Sequence, residues 1–189
     1  MSNKKSNKKQ LSLIVGAVML LVGVVFCICS ESILRKDAPI KYKALIQRYA
    51  QEYEIDELLV LSVIKTESNF DSRALSSAGA KGLMQITDET FEWLQSKTGE
   101  EYSPEALYEP EVNIRYGTYY LSLLLKQFEI RDTALAAYNA GPGRVSSWLA
   151  QPKYSKDKRT LDVIPFGETR YYVTKVNRAI RLYSELYDM

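Results

Sequence analysis

From Ile40 onward, apolar side chains return every three or four positions, the period of a helix, and no run alternates long enough to suggest a sheet. The chain is therefore expected to be all-α or nearly so. Residues 40–53 form a first amphipathic helix, with Ile40, Ala44, Leu45 and Tyr49 on one side and Lys41, Lys43, Gln47 and Arg48 mostly on the other. A second helix, capped by Asp56, runs to about residue 68. Leu58, Leu59, Val60, Leu61, Val63 and Ile64 make it apolar on most of its surface, which predicts a central, surrounded helix. A third helix begins near Thr87 or Asp88, where Phe91, Trp93 and Leu94 follow a capping residue. Ser103 followed by Pro104 marks another start, because Pro is preorganised for the first helical position. The longest internal helix covers 112–128, with Ile114, Leu121, Leu124, Leu125 and Phe128 facing the core. Gly117 inside it costs about 1 kcal/mol relative to Ala and so points to close packing against a neighbour. A short Ala-rich helix over 132–139 stops at Gly141 and Pro142, and 151–160 is a polar surface loop. A closing helix over 166–187 sets Tyr172, Val176, Ile180 and Tyr183 at helical spacing.

One position breaks this pattern in a chemically telling way. Val60, Val63 and Ile64 form an apolar stripe on the second helix, and Glu67 falls three or four residues further along on the same face. A carboxylate there is partly buried. The segment that follows, Ser68 to Gln85, is rich in small residues and too irregular for one continuous helix, so it reads as loop beside a cleft. An apolar setting disfavours the anion and raises a carboxyl pKa, and the helix carboxyl end adds to that effect. An acid still protonated near neutral pH can deliver a proton to a leaving oxygen. Alone, the same residue fits a structural acid paired with Arg or Lys.

Ahead of the helical region lies a different kind of segment. Residues 11–29 form an uncharged, largely apolar stretch, about the length needed to cross ~30 Å of hydrocarbon, and Lys4, Lys5, Lys8 and Lys9 precede it. This predicts a basic cytoplasmic tail at 1–10, a transmembrane anchor at 11–29, a linker at 30–39 and an extracytoplasmic domain at 40–189. The localisation expected is a cell membrane, crossed once. A cleaved signal peptide is the rival pattern, but its apolar region spans about 7–15 residues and ends in a small-residue site that is not evident here. Both cysteines, Cys27 and Cys29, fall inside the span, leaving the outer domain without a disulfide.

The chain has no histidine, which excludes Ser-His-Asp and Cys-His nucleophilic machinery and, with the cysteines in the span, His or Cys metal sites in the outer domain. No cofactor or metal is expected, and chemistry falls to carboxylates and tyrosines. The net charge of +2 conceals an asymmetry, because residues 1–36 carry six Lys or Arg and one acid, leaving 19 basic against 22 acidic residues beyond them. An outer domain of about −3 lacks the basic footprint of a nucleic-acid binder, so no nucleic-acid partner is expected.

Three separated segments carry a resemblance: ESNFDSRALSSAGAKGLMQ from Glu67, ALAAYNAGPGRV from Ala134 and IPFGETRYYV from Ile164. In order and spacing they resemble the SLT-type lytic transglycosylase domain, a lysozyme-like fold that cuts bacterial peptidoglycan. The resemblance covers roughly residues 40–187. It implies that Glu67 is the catalytic acid and base, that Ser76, Met84 and Gln85 line the sugar cleft, and that Tyr138 and Asn139 belong to the Ala-Tyr-Asn segment near the acid. Glu168 matches the acid of the Ile-Pro-Phe-x-Glu-Thr-Arg motif, with Tyr172 the aromatic after it. One departure is Asp71-Ser72, where many members have Asn-Pro. The implied substrate is the glycan strand of peptidoglycan, cleaved at the β-1,4 bond between N-acetylmuramic acid and N-acetylglucosamine with formation of 1,6-anhydro ends.

The residues themselves leave choices open. Ordinary glycosidases add a second carboxylate about 5–9.5 Å from the first; Asp71 is close in sequence but lies in the loop, and Glu168 is the best remaining candidate, against a salt bridge to Arg170 or Arg144. Asp88 and Glu89 read as helix-start residues. Gln85, Asn139 and Ser76 offer hydrogen bonds suited to acetamido and hydroxyl groups. Tyr138 fits either an orienting hydrogen bond to Glu67 or the core, and Met84 either a sugar face or a core gap. A hydrolytic muramidase and a non-catalytic glycan-binding scaffold remain the alternatives to a transglycosylase.

Overall fold

The computed structural model describes residues 38–187 without a break, and before them Gly16, Met19 to Gly23 and Val25. Those seven residues are helical. Among the described residues no helix is long and apolar enough to cross a membrane. The expected span at 11–29 lies for the most part outside them. The chain divides into two compact units, Met1–Pro39 and Ile40–Met189.

Among its described residues the second unit has seven α-helices and one 3₁₀ turn: α1 Lys43–Glu52, α2 Glu57–Ser68, α3 Asp88–Thr98, the 3₁₀ turn Pro104–Tyr108, α4 Pro110–Phe128, α5 Arg131–Ala140, α6 Pro142–Leu149 and α7 Gly167–Leu186. Local chemistry sets many of the boundaries. Asp56 accepts from the Leu58 backbone N–H at 3.0 Å and starts α2, and Thr87 does the same for α3 through the N–H of Thr90 at 3.3 Å. Pro occupies the first turn of the 3₁₀ segment, of α4 and of α6.

Two expectations change. The first helix begins at Lys43 and buries Ile46, Tyr49 and Ala50, so its inward face is rotated from the one expected through Ala44 and Leu45. Pro142 also does two jobs: with Gly141 it ends α5, and its fixed φ then opens α6, a helix the stop signal concealed.

Helix α2 is the centre of the unit. It packs along α7 and against α1, while α5 contacts α4, α6 and α7. Its residues Leu58 to Ile64 are all buried. The loop between α2 and α3 is pinned onto α4 at one point. Asn113, fully buried, accepts from the Met84 N–H at 2.7 Å and donates to the carbonyls of Leu107 at 2.7 Å and Lys81 at 2.9 Å. Gly82 makes the approach feasible: at φ +73 it sits where a Cβ would lie 2.2 Å from Leu107 O and 2.4 Å from Asn113 Nδ2. The role expected of Gly117 is also seen, since a Cβ there would fall 2.5 Å from Met84 Sδ.

Candidate active site

Glu67 occupies the last turn of α2, where the buried stripe of Val60, Val63 and Ile64 carries it toward the interior. The helix ends at once. Asn69 takes a left-handed conformation at φ 50, and Ser68 Oγ donates to Leu83 O at 2.8 Å, tying the helix end to the loop that follows. The carboxyl lines a cleft of about 430 Å³ together with Ser76, Gln85, Tyr120, Tyr138, Asn139 and Glu168. Glu67 keeps some exposure as a residue, because the cleft opens on it, yet its carboxyl is closely enclosed by protein. Burial pushes its pKa from 4.5 up to about 7, against smaller opposing pulls from the Tyr172 hydroxyl and the Lys175 ammonium.

Two tyrosines flank it from different elements. Tyr138 on α5 donates its hydroxyl to Met84 O at 2.8 Å, and so braces the loop rather than Glu67. Tyr172 on α7 is buried, and its Oη lies near enough to Glu67 to favour the anion. That contact lacks the geometry of a hydrogen bond, for Tyr172 Oη has no such partner among the described residues. Burial and the neighbouring carboxylate hold both phenols well above their ordinary pKa. Neither loses its proton near neutral pH.

The remaining expected residues fall as follows. Ser76 shapes the loop, its Oγ accepting from the Ala80 N–H at 3.0 Å. Gln85, left-handed at φ 51, turns its amide back to the carbonyls of Ala74 at 3.2 Å and Gly82 at 2.9 Å while still lining the cleft. Asn139 and Glu168 are exposed along the cleft wall. Glu168 makes no salt bridge among the described residues; Arg170 and Arg144 instead donate to the carbonyls of Ile164 and Ala140. Met84 does not reach the cleft. It is fully buried, packed on Gly117, with Thr118 Oγ1 3.8 Å from its sulfur, so the expected sugar contact gives way to a core role.

Other acids near Glu67 in sequence are spent on structure. Asp71 accepts from the Arg73 N–H at 2.9 Å, stiffening a turn that lacks the rigid Asn-Pro, and Asp88 pairs with Lys81 at 2.8 Å. The residue that sequence reasoning passes over is Tyr120. Its ring lies 5.3 Å from that of Tyr138 on the cleft wall, but in a helix already rich in apolar positions nothing separates it from core.

Helical throughout, with one sheltered acid at the base of a cleft, the domain has a lysozyme-like architecture. The chain belongs to the transglycosylase SLT domain family, whose model matches residues 44–161. It is 38% identical to the soluble lytic murein transglycosylase of Salmonella typhimurium over 151 residues, 76% of this chain and 23% of that protein. To the membrane-bound lytic murein transglycosylase C of Yersinia pestis it is 31% identical over 172 residues, 76% of this chain and 46% of that one. Among solved structures it is similar to an inactive mutant of the lytic transglycosylase Slt from Pseudomonas aeruginosa, with a TM-score of 0.70 and 37% identity over 79% of this chain and 25% of that one. The chain thus spans less than half the length of either curated relative.

Proposed function

We propose that the protein is a membrane-anchored lytic transglycosylase acting on the glycan strands of peptidoglycan. The observation that carries this reading is the enclosed Glu67 carboxyl at the cleft, with a pKa of about 7, beside hydrogen-bonding side chains. Glu67 donates its proton to the oxygen leaving N-acetylmuramic acid as the glycosidic bond breaks. The substrate's own acetamido group stabilises the cation-like centre, which makes a protein nucleophile unnecessary. The Glu67 carboxylate then takes the proton from the 6-hydroxyl of the same sugar, whose oxygen closes on the anomeric carbon. No water is consumed, and Glu67 ends protonated as it began. Asn139 and Glu168 bind hydroxyl and acetamido groups of the strand, a reading supported by their exposure along the cleft wall.

Residues 11–29 hold the amino terminus in the cytoplasm and the domain outside, against its polymeric substrate. The lysines ahead of the span support this orientation, and similarity to a relative named as membrane-bound supports the anchoring.

The test is digestion of purified sacculi by the full chain, with the fragment ends weighed by mass spectrometry. Ends lighter by one water than reducing sugars are expected. Ordinary reducing ends would make the protein a hydrolytic muramidase, and intact sacculi a glycan-binding scaffold.

A further inference from the structure

The aromatic wall of the cleft does not stop at the cavity. The Tyr138 ring lies 5.3 Å from that of Tyr120, tilted at 42°, and Tyr120 meets Trp93 at 6.2 Å with the rings at 81°. Trp93 lies one helical turn beyond Thr90, which lines the cleft, and so shares its face of α3. Its indole is 45% exposed, whereas the protein's other tryptophan, Trp148, is 6% exposed. One turn further, the Lys97 ammonium sits 4.6 Å from the indole centroid. Trp93 is therefore held by two neighbours without being covered by them. A ring fixed in advance loses little freedom when something lands on it. Its surroundings on α3, Glu89, Glu92, Ser96 and Lys97, are exposed and polar, which suits a hydrated polymer and not the apolar patch a protein partner would need.

We infer that Trp93 is a stacking platform for a sugar ring of the same glycan strand, one step beyond the cleft at its Thr90–Tyr120 end. This rests on the function proposed above. A strand gripped at Glu67 must leave the cavity somewhere, and the continuous aromatic wall gives it an exit on which the C–H face of a pyranose meets a π-face. Tyr120 and Lys97 act as positioning residues that keep the indole presented.

Two measurements on the full chain test this. In Glu67→Gln protein, which holds strands without cutting them, added peptide-free glycan strands are expected to shift tryptophan emission to the blue. Trp93→Phe in the same background is expected to abolish the shift, since Trp148 is already buried. In the otherwise unaltered protein, Trp93→Ala is expected to lower the ratio of long-strand to short-strand kcat/KM about tenfold, through KM, with Trp93→Phe falling between. A ratio that stays the same, or an emission shift that survives Trp93→Phe, overturns the inference. If the unaltered protein cuts nothing yet its emission shifts through Trp93, the catalytic reading fails and the platform stands.

Discussion

Near neutral pH the Glu67 carboxyl has no strong preference between its two forms, whereas in the unfolded chain it would be almost wholly ionised. The folded state therefore holds the extra proton between its unfolded value of 4.5 and its folded value of about 7. Stability is full below the lower value and is lost as pH rises through the higher one, a change of roughly 3–4 kcal/mol. Glu67→Gln, which cannot ionise, is expected to be more stable than the unaltered protein at pH 8 and no more stable at pH 4, as read from denaturant midpoints. The same substitution should cost cleavage at least ~10² to 10⁴, since in the proposed mechanism the one group serves as acid and base. Tyr172 gives the pH argument an independent handle. Its unpartnered hydroxyl favours the Glu67 anion, so Tyr172→Phe should move the alkaline limb of the pH–rate profile upward. A limb that stays in place or moves down would remove Tyr172 from the account.

Among the elements, the α2–α3 loop depends on a single side chain of α4. Asn113→Ala strands the Met84 N–H and the Leu107 carbonyl in a buried site, while the Lys81 carbonyl keeps the Ile86 N–H, at a cost of about 2 kcal/mol or more. Because Met84 also accepts from Tyr138, and Gln85 follows it into the cleft, kcat/KM should fall with the melting temperature. Gly117→Ala acts on the same spot through volume, pressing on Met84 Cβ at 2.7 Å, and should cost about 1–3 kcal/mol by thermal melt. The dependence on Asn113 is not visible in one dimension, whereas a glycine inside a helix already points to close packing at Gly117. Periodicity exposes helices with a one-sided stripe or strong caps, which is why α2, α3 and α4 can be read so directly. It fails where one residue serves two elements, as Pro142 does, or where apolar spacing permits two faces, as in α1. At the site, the family motifs find Ser76, Gln85, Tyr138, Asn139 and Glu168, because their order along the chain survives folding. They do not separate Met84 from its neighbour Gln85, since only burial against Gly117 distinguishes a core sulfur from a cleft residue.

At the scale of the whole molecule, charge and hydropathy divide the chain as contacts do. The basic tail and apolar stretch precede Ile40, and the acidic, helical unit follows. That unit has its own core, in which Ile64, Leu83, Phe91, Leu121 and Tyr183 are buried to within 2% of completeness, so its stability owes nothing to a disulfide. A chain beginning at Ile40 is therefore expected to fold, to stay in the aqueous phase, and to cut dissolved glycan strands as fast per mole as the full chain. On intact sacculi in cells the two should part. The proposed anchor would confine the domain to a layer beside its substrate, raising effective concentration without a new contact. Fractionation provides the check: the full chain should stay with membranes through alkaline carbonate washing, which strips proteins held only by charge, while the chain from Ile40 is recovered in the supernatant. Release of the full chain by carbonate would mean that Lys4, Lys5, Lys8 and Lys9 bind the surface electrostatically and that residues 11–29 do not span it.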